Sequence, residues 1–184
     1  MSTSLLYHAF GVKGYRHVRT EYRHGQVRFT VQPGGNEPLR CPHCGSPEVI
    51  RRGQRWRACR GIPIGGRAVW IQLPVQRVGC RRCGLVRQVK VPFAEGRRSY
   101  TRRFRRYALQ LCRVMTIQDV SEHLGVSWGT VKDIHKRHLR RRFSRPRLQN
   151  LKWLAIDEIS VGHGQRFLTV VLDLCSGAVV FVDA

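Results

Sequence analysis

The chain has 184 residues, with 34 Lys and Arg against 11 Asp and Glu, giving a formal net charge of +23. A protein this basic repels itself and tolerates the charge most easily beside a polyanion, so nucleic acid is the expected partner. At 42% apolar and 24% charged residues the composition excludes a disordered chain, and no apolar run approaches the roughly 20 residues of a membrane-spanning helix.

The charge is unevenly spread. Residues 1–150 carry 32 basic and 7 acidic side chains, whereas residues 151–184 carry 2 and 4. Of the cations, 29 are Arg, whose planar fork can hold two phosphate oxygens at once. A GC-rich genome coding Arg in place of Lys would give the same bias.

In chain order, Leu5–Phe10 predicts a short apolar helix, too short for a signal-peptide core and with no basic region before it. The expectation is a soluble, intracellular protein. Tyr15–Tyr22 and Val27–Val31 predict a hairpin turning at His24-Gly25.

Seven cysteines follow, at 41, 44, 59, 80, 83, 112 and 175. Four form two C-x-x-C units, Cys41-Pro42-His43-Cys44 and Cys80-Arg81-Arg82-Cys83, each followed by Gly. Such a unit lets two thiolates grip one metal from adjacent positions of a tight turn, and two units complete a tetrahedral zinc site. Disulfides or a redox pair are the weaker alternative, because nothing marks secretion and three cysteines would be left over. A four-thiolate site has no open position, so this zinc is expected to be structural. His43 could compete as a ligand, and Cys59, Cys112 and Cys175 read as packed thiols. Between the units, Gln54–Ala58 and Ala68–Val78 alternate like strands, with breaks expected at Gly61, Pro63 and Gly65-Gly66.

From Ser99 the spacing becomes helical. Phe104, Tyr107, Ala108, Leu111 and Cys112 fall on one face, with Arg102, Arg103, Arg105 and Arg106 on the other. In the next stretch, apolar residues at 117, 120, 124, 126, 131 and 134 line the inner faces of two short helices. Ser121 is small at their crossing, Gly125 can take the left-handed turn conformation, and Ser127 can cap the second helix. This is a helix-turn-helix pattern. Its second helix would expose Trp128, Gly129, Lys132, Asp133 and Lys136 to a major groove. Candidate DNA contacts are Arg102, Arg103 and Arg106, then Ser127, Trp128, Thr130, Lys132 and Lys136, then Arg137, Arg140 and Arg141 of a basic run that Pro146 is expected to stop. Some helix-turn-helix units pack only against proteins, and a zinc-ribbon RNA-associated protein is a third reading.

Residues 153–182 read as a three-strand antiparallel meander: Trp153–Ser160 with adjacent Asp157 and Glu158, then Arg166–Leu174, then Ala178–Val182. A carboxylate midway along the first strand resembles the opening of a ribonuclease-H-like fold. Asp173 is expected to stabilise the turn at Gly177, and Glu158 to face away from Asp157.

Taken together, the CPHC…CRRC ribbon, the Gly-Val-Ser-Trp-Gly-Thr-Val segment and the Ile-Asp-Glu-Ile-Ser strand with its Arg-Phe-Leu-Thr-Val-Val-Leu-Asp continuation resemble insertion-sequence transposases of the ISL-three family. The resemblance implies recognition of terminal inverted repeats by the zinc and helix-turn-helix modules. It also implies a following DDE domain whose first Asp is Asp157, with Mg²⁺ or Mn²⁺ bound only when that domain is complete. The family's later triad carboxylates match no residue here, so the chain is expected to be truncated early in that domain and catalytically incomplete. The implied partner is double-stranded DNA in the bacterial cytoplasm, at the nucleoid, with no membrane, and with self-association or association with an intact transposase open. A stand-alone zinc-containing DNA-binding regulator, or a competitor of intact transposase, is the alternative.

The expected fold class is therefore α+β and multidomain. It comprises an N-terminal helix and hairpin over 1–35, a small β zinc ribbon over 36–96, a helix-turn-helix domain over 97–147, and a partial ribonuclease-H-like β-meander over 148–184.

Overall fold

A computed structural model describes residues 5–35, 38–144, 148–149, 151–162, 164 and 166–183. The chain is α+β and divides into two units, Met1–Ile134 and His135–Ala184.

The first unit opens with helix α1 (Leu5–Phe10) and the hairpin β1 (Tyr15–Arg23) and β2 (Gln26–Pro33). His24 and Gly25 both take positive φ, 48° and 70°, the pairing a two-residue hairpin turn needs to match the strand twist. Two long strands follow, β3 (Val49–Ile64) and β4 (Arg67–Cys80), then the short β5 (Val86–Gln88). The sheet order is β1-β2-β4-β3, with β5 also on β4. β2 joins β4 in parallel register, Gln26 opposite Ala68 through Thr30 opposite Gln72, while β5 takes Arg77–Gly79. The N-terminal hairpin and the ribbon strands thus share one sheet.

Strand β3 does not break at Gly61 or Pro63, as their residue types suggested; only Gly65-Gly66 turns the chain. The register with β4 slips between Gly61 and Ile64, so Pro63 falls in a bulge where its missing N–H costs no ladder bond. At Gly61 a Cβ would stand 3.1 Å from Phe10 and from Val69, so the close approach of α1 favours glycine there. One apolar core forms on this face from Leu6, Phe10, Val27, Phe29, Val31, Cys59, Val69, Ile71 and Leu73 with their neighbours.

Three helices complete the basic part: α2 (Arg102–Leu111), α3 (Ile117–Leu124) and α4 (Trp128–Phe143), the last running past the division between the units. Thr101, fully buried, caps α2 by accepting from the Phe104 N–H at 3.1 Å. Thr116 and Asp119 form a reciprocal capping box at the start of α3. Gly125 ends α3 in the left-handed region at φ 59° and ψ 46°. A second core joins Tyr100, Phe104, Ala108, Val120, Leu124, Val131 and Ile134, with Ile117 and Val126 against it. Pro146, expected to stop α4, lies outside the described residues.

The second unit holds an antiparallel meander, β6 (Leu154–Ser160), β7 (Phe167–Asp173) and β8 (Ala178–Asp183), in the order β6-β7-β8. Asp173, 8% exposed, ties the β7–β8 turn: its carboxylate accepts from the Cys175 N–H at 3.1 Å and from the Ser176 hydroxyl.

Candidate metal centre and nucleic-acid interface

The two C-x-x-C units fold alike. In each, the N–H of the first cysteine donates to a carbonyl five residues on, Cys41 to Ser46 at 2.9 Å and Cys80 to Leu85 at 3.0 Å. The following glycine donates back to the first cysteine's carbonyl, Gly45 at 2.9 Å and Gly84 at 3.0 Å, from φ of 74° and 69°. Such knuckles aim both sulfurs to the same side. The Arg81 N–H, donating to the Glu48 carbonyl at 2.9 Å, joins the two knuckles.

The four sulfurs converge. Sγ atoms of Cys41, Cys44, Cys80 and Cys83 all lie within 4.8 Å of one another, with Cys41–Cys83 at 3.7 Å and Cys44–Cys80 at 3.6 Å. A zinc–sulfur bond of about 2.3 Å sets the edge of a thiolate tetrahedron at about 3.8 Å. The donor set therefore fits zinc, and no pair is at disulfide distance. The electrostatics suit it too. N–H groups of Cys44 and His43 hold the Cys41 thiol down to about 6, and the Cys83 N–H lowers Cys80. The Leu85 N–H pulls Cys83 in the same direction, but burial and the neighbouring sulfurs push it up to about 11. Without a cation the four sulfurs cannot all ionise.

Of the remaining cysteines, Cys59 is fully buried and Cys112 packs against the helical core, as expected. Cys175 is exposed on the meander turn and is not a packed thiol.

On α4 the residues Trp128, Lys132, Lys136 and Arg140 follow one another at four-residue spacing, and all are exposed. The Lys132 ammonium lies 4.6 Å from the Trp128 ring centre. Ser127 caps the helix by accepting the Thr130 N–H at 3.3 Å, and its hydroxyl lies 2.9 Å from that of half-buried Thr130. Arg141 is exposed and Arg137 half-buried. Asp133 departs from its expected exposure: it is half-buried and takes the Arg98 guanidinium at 3.3 Å. On α2, Arg102, Arg103 and Arg106 are exposed, while Arg105 is held by Glu95 at 2.6 Å. The Arg103 stem lies against Gly11, where a Cβ would stand 3.3 Å from it.

Asp157 is exposed on β6 opposite Val170, and its own carboxylate accepts the Glu158 N–H at 2.9 Å. Among the described residues the four cysteines form the one group of three or more potential metal ligands.

Sequence reasoning missed a set of arginines inside the first unit. Arg60, 6% exposed in β3, donates from Nη2 to the Leu124 carbonyl at 2.7 Å, and Arg57 donates to the Arg98 carbonyl. An arginine between Cys59 and Gly61 in a cationic chain carries no local mark of burial.

A closed four-thiolate ribbon in one unit with a capped helix-turn-helix defines a metal-ordered module of the nucleic-acid-binding class. Residues 37–83 match the zinc-finger of the IS204/IS1001/IS1096/IS1165 transposases, and residues 89–139 match the helix-turn-helix domain of transposase family ISL3. The chain therefore carries a zinc ribbon and a helix-turn-helix domain of the ISL3 transposase type. The chain is 28% identical over 175 residues to the transposase for insertion sequence element IS1001 of Bordetella parapertussis, covering 94% of this chain and 43% of that protein. It is 31% identical over 158 residues to the IS1557 transposase of Mycobacterium tuberculosis, covering 85% of this chain and 35% of the relative. The chain thus spans less than half the length of these relatives. No solved structure matches it. Among the described residues no helix is long and apolar enough to cross a membrane.

Proposed function

We propose that this chain binds double-stranded DNA as the end-recognising part of an insertion-sequence transposase, reading terminal inverted repeats with α4 in the major groove. The exposed row Trp128, Lys132, Lys136 and Arg140, directly after a capped helix-turn-helix turn, carries this reading. Ser127 and Thr130 at the helix start, and Arg137 and Arg141 beyond, extend the contact. Arg102, Arg103 and Arg106 contribute from α2. The two IS-element relatives support the choice of element ends as the target. Cys41, Cys44, Cys80 and Cys83 hold one zinc ion, which orders the ribbon and supplies no chemistry to a reaction.

The domain division of this reading is an N-terminal helix and hairpin over 1–35, a ribbon over 36–96, a helix-turn-helix domain over 97–147 and the start of a DDE domain from 148. The meander is the opening of a ribonuclease-H-like domain, with Asp157 as its first metal-binding carboxylate and Mg²⁺ or Mn²⁺ taken only when the remaining carboxylates are present. The protein acts at the bacterial nucleoid, beside other copies of itself or intact transposase. A second reading is a DNA-binding regulator or competitor that does not cleave; it rests on the same exposed row of α4 and gives Asp157 no role.

Titrating duplexes that carry element ends against salt tests the binding. With about eight phosphate contacts, log affinity falls against log salt with a slope near −7, and Lys132→Ala reduces that slope by about one. A slope near zero removes the proposal. Adding Mg²⁺ or Mn²⁺ separates the two readings: strand cleavage that disappears in Asp157→Ala selects the first, and binding without cleavage the second.

A further inference from the structure

The helix-turn-helix is joined to the ribbon by more than chain connection. Strand β3 meets the segment entering α2 through its backbone: the Arg60 N–H donates to the Ser99 carbonyl at 2.7 Å, and the Thr101 N–H donates to the Arg60 carbonyl at 2.9 Å. Thr101 is the cap of α2, so this bridge sets where that helix starts. The Arg60 side chain then goes further. Its Nη2 reaches the carbonyl of Leu124, the last residue of α3, beside the turn that leads into α4. Carbonyls at a helix C-terminus carry partial negative charge, which suits a guanidinium. The same group lies 5.4 Å from the Trp70 ring centre on β4. A Cβ at Gly125 would meet Arg60 Nη2 at 3.8 Å, so the turn residue itself packs against the arginine.

This arrangement is costly for mere packing. Among the described residues no carboxylate pairs with Arg60, its Nε is buried without a partner, and burial pulls the guanidinium pKa down from its ordinary value. An aliphatic side chain of similar volume would avoid the unpaired donor. It would not hold Leu124. Arg57, bonded to the Arg98 carbonyl, and Arg98, paired with Asp133 of α4, brace the same junction from either side.

We propose that Arg60 is a positioning residue: its buried guanidinium, anchored in the ribbon sheet, clamps the α3–α4 turn so that α4 is presented to DNA at an orientation fixed by the ribbon. The name given to the presented surface rests on the DNA-binding reading above; the clamp does not.

Residual dipolar couplings on the zinc-loaded full chain test it without DNA. In the wild type, amides of β1–β5 and of α2, α3 and α4 up to Ile134 fit a single alignment tensor. Arg60→Met keeps the volume and removes the donors. It should need separate tensors for ribbon and helices, while cobalt substitution still gives the thiolate absorption of an intact four-cysteine site. A single shared tensor in folded Arg60→Met overturns the proposal. If Arg60→Met fails to fold, Arg60→Lys, which keeps the charge but loses the fork, carries the test. Its expected result is a poorer common fit and faster amide exchange at Gly125 and Val126, and wild-type values for both overturn the proposal.

A parallel titration with duplex DNA reads the consequence. Arg60→Met should bind on the order of tenfold more weakly, as preorganisation is lost, with the salt slope unchanged because no phosphate-facing cation is altered. Weakening with a wild-type tensor overturns the clamp. A wild-type chain that binds no duplex overturns the DNA reading instead, and the couplings still decide the clamp.

Discussion

In β4, Val69, Ile71 and Leu73 are completely shielded from solvent, whereas in β6 Ile156 is 70% exposed and Ile159 51%. Both strands are apolar by composition, so composition does not separate them. The difference is in what lies over each sheet. The first is covered by α1 and closed on one edge of β4 by a parallel strand from the N-terminal hairpin. The second, among the described residues, leaves Phe167, Val179, Phe181 and Val182 at 44–53% exposure. Burial is therefore acquired from distant partners, and an apolar strand marks only a demand for them.

Metal removal should widen this contrast most. Chelation, or Cys80→Ser, is expected to abolish hydrogen-exchange protection around both knuckles and β5, since binding energy in such sites is folding energy. Protection in β6–β8 should stay at its starting level. Equal loss in both sheets, or none in either, breaks the distinction. Acid should imitate the chelator as protons compete with the metal for the thiolates.

Core truncation comes next. Ile71→Ala should cost about 2–5 kcal/mol by denaturant unfolding, against under about 0.5 kcal/mol for Ile156→Ala. Comparable losses would mean that Ile156 is buried in solution. Removing the capping box with Thr116→Ala should cost about 1 kcal/mol in the helical unit and leave the meander untouched.

The smallest effect is in the meander turn. The Ser176 hydroxyl and the Cys175 N–H lower the Asp173 pKa from 3.8. A carboxyl depressed in the folded state contributes fully above its unfolded pKa, and the contribution is lost as pH falls through the folded value. The turn should loosen only below about pH 4, and Asp173→Asn should erase that acid step in amide exchange of Cys175 and Gly177. A step that persists in Asp173→Asn would assign it to another group.

Local chemistry was legible in the residues themselves. The bounds of α1, the His24-Gly25 turn, the paired cysteine units, Gly125 and the Ser127 cap each depend on neighbours within a few positions. What escaped depends on residues far away. The parallel pairing of β2 with β4 links positions 42 apart, Gln26 with Ala68. Gly61 looked like a breaker because its reason, the ring of Phe10, lies 51 residues earlier. Asp133 looked like a surface charge, and Arg60 was not singled out, because Arg98 and Leu124 are not near them in sequence. The three strands of the meander were legible because consecutive antiparallel strands need only turns between them.

The parallel register of β2 and β4 also imposes a timetable on synthesis. The hairpin of β1 and β2 leaves the ribosome complete, but its free edge can be filled only once Ala68–Gln72 has emerged. During that interval Cys41 and Cys44 hold half of a metal site, and the second half arrives with Cys83. The nascent chain therefore passes through a stage with an open strand edge and two unmatched thiols; the edge can close with Gln72, and the site only later with Cys83.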